Sequence, residues 1–313
     1  MPRLLVSCPI TRTMNNKPVS SNLPESGSRP GVRFLTGQGE LPKLRVDTGF
    51  SVAEIYLQGA HVTHFQVAEG KPVLFLSEAA HFQAGIPIRG GIPIILPWFG
   101  PREGFPAHGV VRSQPWTVSA VEWLPAGEIR VAFQLDCPTV PGYAPLVATF
   151  QVTVGRSLDL ELTVRNLSND ENLLLEDCLH TYFAVGEIDS LSIHGLQGVT
   201  YLDKVAGGAR CVESAAAITV KGEVDRVYLD TTGTVEINDR AERRRIIVSK
   251  QGSTSTVVWN PWIAKSRRME DFGDEEYRRM VCVESGNVGP NRRLLAPGET
   301  ATLRVRISTG DLP

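Results

Sequence analysis

The sequence predicts an all-β protein, a large antiparallel β-sandwich with few short helices. Apolar and polar residues alternate in short runs, turn-forming residues separate these runs, and helical periodicity is weak along the whole chain. The 29 glycines and 21 prolines are spread widely, which leaves few stretches able to sustain a long helix. No rhythm of strand, helix and strand is present, so a doubly wound parallel sheet is not expected.

Three runs show the strand pattern most clearly. They are Ile129–Asp136 (IRVAFQLD), residues 158–164 (LDLELTV) and residues 303–308 (LRVRIS). Successive side chains of a strand point to opposite faces of the sheet, so each run buries one face and exposes the other. Turn-forming sequences such as VPGYAP, DTTGT and LAPGE lie between such runs.

The domain organisation predicted from composition is one β-domain preceded by an extension. Residues 1–40 are rich in Ser, Pro, Asn and Gly and show no sustained periodicity. We expect them to form a loosely ordered N-terminal extension. Residues 41–313 show no further break in composition and no internal repeat, which indicates a single β-sandwich domain.

Composition also excludes several classes of function. A net charge of −2 provides no general attraction for nucleic acid, and no apolar run is long enough to cross a membrane. The cysteines are odd in number and widely spaced, which is unlike a disulfide framework or a zinc site and suits a reducing cytoplasm. They are Cys8, Cys137, Cys178, Cys211 and Cys282. We therefore expect a cytoplasmic protein with no metal site, and a monomer because nothing indicates an oligomer interface.

A histidine within an apolar, strand-forming stretch is the first candidate for chemistry. His180 lies in residues 175–185, which read LEDCLHTYFAV. From these residues alone, a packed and hydrogen-bonded core histidine is the more common explanation. A functional role needs partners from elsewhere in the chain.

Two stretches before His180 carry candidate ligand-binding residues. Arg89 precedes Gly90 and Gly91, a pair that allows close approach of the backbone, and its guanidinium offers a planar set of donors. His108 and Arg112 lie four residues apart, so on an extended segment both side chains point to one face. Solvated side chains on surface turns would explain either stretch equally well.

Glu284 is the second candidate for acid–base chemistry. It ends the apolar run of residues 281–283 and precedes Ser285, so burial would raise its pKa or require a donor. A His and a Glu meeting in one cleft would form a general acid–base pair. Capping of a strand is the structural alternative, and spacing alone does not bring the two together.

Several segments, taken in order, resemble the hexose-6-phosphate mutarotases (glucose-6-phosphate 1-epimerases), a branch of the aldose 1-epimerase superfamily. The segments are VLFLS, IRGGIPIILPWFGP, AHGVVRSQPW, LHTYFAV, VYLD, VVWNPWIAKSRRMEDF and MVCVESGNV. The resemblance covers about residues 45 to 310. It implies a galactose-mutarotase-like β-supersandwich that interconverts the α and β anomers of a hexose 6-phosphate without a cofactor.

The resemblance also implies roles for individual residues. His180 would protonate the ring oxygen and Glu284 would remove the proton from the anomeric hydroxyl. Four further residues fall at substrate-binding positions, the arginines among them as candidates to hold the phosphate. They are Arg89, Arg112, Asp203 and His108.

One departure from the family bears on substrate preference. Relatives can carry a ligand-contacting glutamine before the His-Gly of the second motif, and Ala107 stands there in this chain. Three other functions stay open from the sequence. They are an aldose 1-epimerase for unphosphorylated sugars, a non-catalytic carbohydrate-binding protein, and a glycosidase, which would need a second carboxylate.

Overall fold

The computed structural model describes residues 30–313, and strands dominate this range. Its 22 strands are β1 (Gly31–Thr36), β2 (Pro42–Asp47), β3 (Ser51–Tyr56), β4 (His61–Val67), β5 (Ile94–Ile95), β6 (Thr117–Trp123), β7 (Ile129–Asp136), β8 (Leu146–Val154), β9 (Leu158–Asn166), β10 (Leu173–Leu175), β11 (Asp177–Leu179), β12 (Tyr182–Ala184), β13 (Leu191–His194), β14 (Thr200–Asp203), β15 (Ala209–Val212), β16 (Val224–Leu229), β17 (Val235–Asp239), β18 (Arg244–Gln251), β19 (Ser255–Asn260), β20 (Met280–Asn287), β21 (Arg293–Leu295) and β22 (Thr300–Asp311). Helical structure in this range is one short α-helix, α1 (Trp262–Ser266), and five 3₁₀ segments, Gln38–Glu40, Val111–Ser113, Ile188–Ser190, Glu276–Arg279 and Gly289–Asn291. The all-β prediction is confirmed.

The strands form two large sheets and two small ones. One eight-stranded sheet has the order β15-β14-β16-β19-β20-β11-β5, with β12 also pairing with β20. The other has the order β13-β17-β18-β22-β9-β8-β7-β6. A four-stranded sheet (β1-β2-β3-β4) and the β10-β21 pair complete the architecture, and all the ladders named here are antiparallel.

Alternation along the strands places the main core between the sheets. In β8 and β9 every second side chain is buried, as the sequence pattern predicts. Phe150 of β8 and Leu162 of β9 share one apolar cluster with Val281 and Val283 of β20, which belong to the other large sheet. The two eight-stranded sheets therefore bury a common core.

Strand β20 is buried along its whole length, which marks the centre of the molecule. Val281 and Val283 point into the main core, whereas Met280 and Cys282 join a second apolar cluster with Trp259. This second cluster lies on the opposite face of the same sheet, because neighbouring residues alternate. That face carries the candidate site.

The four-stranded sheet begins at Gly31, earlier in the chain than composition predicts. Strand β1 pairs with β2 from Gly31 to Thr36, ahead of the expected domain start at residue 41. Its side chains are half-buried or exposed, with Phe34 66% exposed, so β1 is held by backbone hydrogen bonds and carries little apolar signal. The rest of the expected extension, residues 1–29, lies outside the described residues. No helix in residues 30–313 is long and apolar enough to span a membrane.

Candidate active site

A cleft of about 350 Å³ opens on the outer face of the sheet that contains β20. This volume is within the range of small-molecule sites. Strands β16, β19 and β20 supply one part of its wall, and the loops around residues 89, 100 and 108 supply another. The lining residues are Arg89, Phe99, Gly100, Pro101, His108, His180, Tyr182, Lys204, Asp225, Val257, Trp259, Lys265, Met269 and Glu284.

His180 and Glu284 meet at the base of this cleft. His180 lies between the end of β11 and the start of β12, and its backbone N–H donates to the Pro93 carbonyl (3.0 Å). Pairing of β11 with β20 places Leu179 opposite Ser285, which brings the two functional side chains together. His180 Nε2 is 3.4 Å from Glu284 Oε1. The structure thus joins the two residues that sequence spacing alone could not.

Burial controls the protonation of this pair. Desolvation, followed by the electrostatic influence of His108, Arg112 and Arg89, lowers the pKa of His180 well below its usual value. Desolvation and the nearby charge of Asp225 raise the pKa of Glu284 well above the usual carboxyl range. Both shifts favour the uncharged forms, so we interpret the 3.4 Å contact as an imidazole beside a carboxylic acid. Such a pair can donate a proton at one atom and accept one at another.

The Gly90–Gly91 turn positions Arg89 at the edge of the cleft. Gly90 has a φ of +112°, and a Cβ there would lie 2.6 Å from the Phe75 carbonyl oxygen, so only glycine fits. Arg89 Nη1 donates to the Tyr182 hydroxyl (3.0 Å), and its Nε donates to Asp271 Oδ2 (3.1 Å). The Asp271 carboxylate compensates part of the Arg89 charge.

Arg112 and His108 lie near Arg89 but differ from it in their hydrogen-bond and salt-bridge partners. Arg112 Nη2 donates to the Ala107 carbonyl (2.8 Å), and within residues 30–313 no carboxylate forms a salt bridge with it. Arg112 does not line the cleft itself, yet its charge lowers the pKa of His108 and His180. His108 Nδ1 accepts from the Gly100 N–H (3.2 Å), so a neutral His108 carries its proton on Nε2.

Besides Glu284, the carboxyl group that lines the cleft belongs to Asp225 and not to the expected Asp203. Asp203 ends β14 and pairs in register with Arg226, so its side chain lies on the same sheet face as that of Arg226. It accepts from the Ala206 N–H (3.1 Å) and lies 3.8 Å from Arg226 Nε, outside the cleft lining. Asp225 is the neighbour of Arg226 and therefore points to the opposite face, into the cleft. Alternation in residues 224–229 (VDRVYL) was the signal that could have identified it.

Aromatic rings and two lysines complete the cleft. Tyr182 stacks on His180 with centroids 4.8 Å apart, and Trp259 stands edge-on to both rings. Lys265 Nζ is 3.8 Å from Asp225 Oδ2, whereas Lys204 Nζ lies 4.6 Å from the centre of the Phe99 ring. Sequence reasoning missed Lys204 and Lys265, because single lysines carry no pattern.

A larger groove exists elsewhere on the surface. It has a volume of about 510 Å³ and crosses the outer face of the other eight-stranded sheet, along β7, β8, β9, β18 and β22. Its lining includes Arg130, Asp159 and Glu161, which line an open surface instead of forming a buried acid–base pair. Volume alone therefore does not identify the functional site, and the chemistry favours the smaller cleft.

The sequence pattern of the aldose 1-epimerase family matches residues 42–308, which includes every residue of this cleft. The chain belongs to the aldose 1-epimerase family. A relative from Cenchrus ciliaris, named "putative glucose-6-phosphate 1-epimerase", is 37% identical over 267 residues, covering 82% of this chain and 80% of the relative. A protein of the same name from Escherichia coli K12 is 36% identical over 262 residues, covering 82% of this chain and 86% of that protein.

Solved structures confirm the fold of this aldose 1-epimerase family member. The crystal structure of a "putative mutarotase" from Salmonella typhimurium superposes with a TM-score of 0.80 at 29% identity, over 87% of this chain and 91% of that one. A galactose 1-epimerase from Lactobacillus acidophilus shares only 12% identity yet reaches a TM-score of 0.69. The galactose-mutarotase-like supersandwich predicted from the sequence is therefore confirmed.

Proposed function

We propose that this protein interconverts the α and β anomers of a hexose 6-phosphate, with glucose 6-phosphate as the expected substrate. The observation that carries the proposal is the buried His180–Glu284 pair at the base of a cleft bordered by cationic side chains. The names of the relatives support the same reaction. Both reacting groups belong to the chain itself, and the reaction needs no cofactor.

The chemistry is paired proton transfer at the anomeric centre. In the reactive state His180 donates a proton to the ring oxygen while Glu284 takes the proton from the anomeric hydroxyl. The bond between C1 and the ring oxygen breaks, and the open aldehyde can rotate about C1–C2. Ring closure on the other face of the carbonyl runs the two transfers in reverse and restores both groups.

A phosphate dianion would prepare the pair for this reaction. Besides burial, the charges of Arg112 and Arg89 hold the pKa of His180 low. A phosphate bound by Arg89, which lines the cleft, cancels part of that field, so the pKa of His180 rises. The proton then moves from Glu284 to His180, which gives the donor and acceptor that the mechanism requires.

The remaining lining residues suit a sugar. Asp225 offers a carboxylate to the hydroxyls, and His108 presents an Nε2–H donor. Trp259 offers an aromatic surface to the ring. Asp203 has no part in the proposed site, because its side chain is outside the cleft lining.

The decisive experiment is NMR measurement of exchange between the α and β anomers of glucose 6-phosphate, with glucose and galactose in parallel. Acceleration of the phosphorylated sugar alone is the expected result. Equal acceleration of all three would favour an aldose 1-epimerase for free sugars. His180→Asn should reduce exchange to the uncatalysed rate while sugar binding persists. Binding without exchange in the wild type would contradict the proposal and favour a carbohydrate-binding protein.

The partner proposed is thus a sugar phosphate. The monomeric state and the cytoplasmic location expected from the sequence stay predictions. Light scattering on the purified chain and fractionation of cells would test them.

A further inference from the structure

A buried thiol lies beside the proposed acid and base. Cys282 lies two residues before Glu284 on β20, so both side chains lie on one face of the sheet. His180, Cys282 and Glu284 form the one group of three His, Cys, Asp or Glu residues in the described chain whose ligand atoms lie within 4.8 Å of one another. All three residues are buried.

These three donor types together suit one class of cation. An imidazole nitrogen, a thiolate and a carboxylate oxygen are ligands of Zn²⁺, whereas Mg²⁺ and Ca²⁺ require mostly oxygen ligands. With zinc–ligand bonds of about 2.0–2.3 Å, the ligand atoms of a tetrahedral site lie roughly 3.3–3.8 Å apart. The separation between His180 and Glu284 already meets this at 3.4 Å. The ligand atoms of the group lie at most 4.8 Å apart, so a movement of about 1 Å brings even the widest pair to the spacing of a zinc site.

The surroundings permit that movement and leave a coordination position open. His180 Nδ1 has no hydrogen-bond partner within residues 30–313, so the ring can shift without losing a bond on that side. The only hydrogen bond to the Glu284 side chain from a residue other than His180, within this range, is a long one of 3.6 Å from Cys178 Sγ. His180 and Glu284 line the cleft, so a fourth ligand could come from water or a sugar hydroxyl.

We propose that the cleft binds Zn²⁺, or another divalent cation that favours thiolates, through His180 Nε2, Cys282 Sγ and one carboxylate oxygen of Glu284. Binding releases the thiol proton of Cys282 and the carboxyl proton of Glu284, and His180 binds through its unprotonated Nε2. The ion occupies the atoms that would transfer protons to and from the sugar. Zinc is therefore an inhibitor of this site and not its cofactor. This inhibitory role rests on the proposed function, whereas the metal site itself does not.

Binding of Co²⁺ to the full chain tests the site without any assay of activity. Co²⁺ coordinated by a thiolate absorbs through charge transfer from sulfur to metal, and Zn²⁺ should displace it. We expect saturation at one Co²⁺ per chain and no displacement by Mg²⁺. In Cys282→Ser the band should disappear and the affinity for Zn²⁺ should fall at least about tenfold.

Matched controls come from the other cysteines. Cys137→Ser and Cys211→Ser should leave the band unchanged, since neither residue belongs to the group. His180→Asn provides a second test at a cleft-lining position, should Cys282→Ser fail to fold, and it should also weaken Zn²⁺ binding. An unchanged band in Cys282→Ser, or unchanged Zn²⁺ affinity in His180→Asn, would overturn the site.

Exchange kinetics test the inhibition separately. Zn²⁺ should slow anomer exchange of glucose 6-phosphate in competition with the sugar, and the ratio of rates with and without Zn²⁺ should return towards one in Cys282→Ser. Cobalt binding in a protein without exchange activity would refute the proposed function and leave the metal site intact. Full exchange at saturating Zn²⁺ would refute the inhibition.

Discussion

Replacement of Glu284 by Gln exchanges one carboxyl oxygen for an amide nitrogen, so the effects of this carboxyl group on catalysis and on folding can be measured separately. The amide has the shape of the carboxyl group and can still contact His180 and Cys178, which lie 3.4 and 3.6 Å from the two carboxyl oxygens. It cannot accept a proton from the anomeric hydroxyl. We therefore expect the exchange rate to fall by about 10²–10⁴, the usual contribution of a general acid or base, while sugar binding changes little.

The same substitution should make the protein more stable. Burial raises the pKa of Glu284, so the folded state keeps this proton after the unfolded state has released it near pH 4.5. The free energy of unfolding of the wild type then falls with rising pH, by up to about 1.4 kcal/mol per pH unit, until the raised pKa is passed. Gln does not titrate, so it removes this loss, and we expect the free energy of unfolding at pH 7 to rise by at least about 1 kcal/mol.

NMR exchange spectroscopy and urea unfolding at pH 5 and pH 8 measure the two effects. Glu213→Gln is the control, because buried Glu213 accepts hydrogen bonds from Tyr228 (2.9 Å), Arg226 (3.1 Å) and the Ala215 N–H (3.1 Å) outside the cleft. It should lower stability by about 1–3 kcal/mol and keep exchange within a few-fold. Exchange in Glu284→Gln close to the wild-type rate would refute the role of Glu284 as base.

Three further predictions concern substrate binding, acid sensitivity and the phosphate. Asp225→Asn should weaken binding of the sugar phosphate and slow exchange at least tenfold, whereas Asp203→Asn should change neither. A loss of binding and exchange in Asp203→Asn but not in Asp225→Asn would favour Asp203 as the substrate-binding residue, as the sequence predicted. Burial lowers the pKa of His61 to about 4, so its contribution to stability, about 3 kcal/mol, should be lost as pH falls from 6.5 to 4. Urea unfolding at pH 6.5 and pH 4 should show a smaller loss of stability in His61→Gln than in the wild type, and an equal loss would contradict this prediction. Inorganic phosphate added with glucose should raise the rate of anomer exchange, since it raises the pKa of His180; exchange unaffected or slowed by phosphate at all concentrations would contradict the proposed protonation switch.

Local pattern was sufficient for the fold class and singled out several candidate residues, whereas their roles came from the resemblance to the hexose-6-phosphate mutarotases. Strands β7, β8 and β9 follow the alternation of their side chains, because burial on one sheet face imposes a period of two. Arg89 was accessible from its glycine pair, and His180 and Glu284 from the apolar strands around them. Strand β1 could not be predicted from the sequence, because an edge strand with exposed side chains resembles an extension in composition.

Distances and protonation were decided only by the tertiary structure. Sequence determined that a histidine and a glutamate lie in apolar, strand-forming runs, but the pairing of β11 with β20 is a contact between distant segments, which no local pattern encodes. The choice between Asp203 and Asp225 depended on the register of β14 and β16, where a shift of one residue reverses the face. The shifted pKa values of His180 and Glu284 arise from desolvation inside the folded molecule, a property that exists only once the sheets have packed.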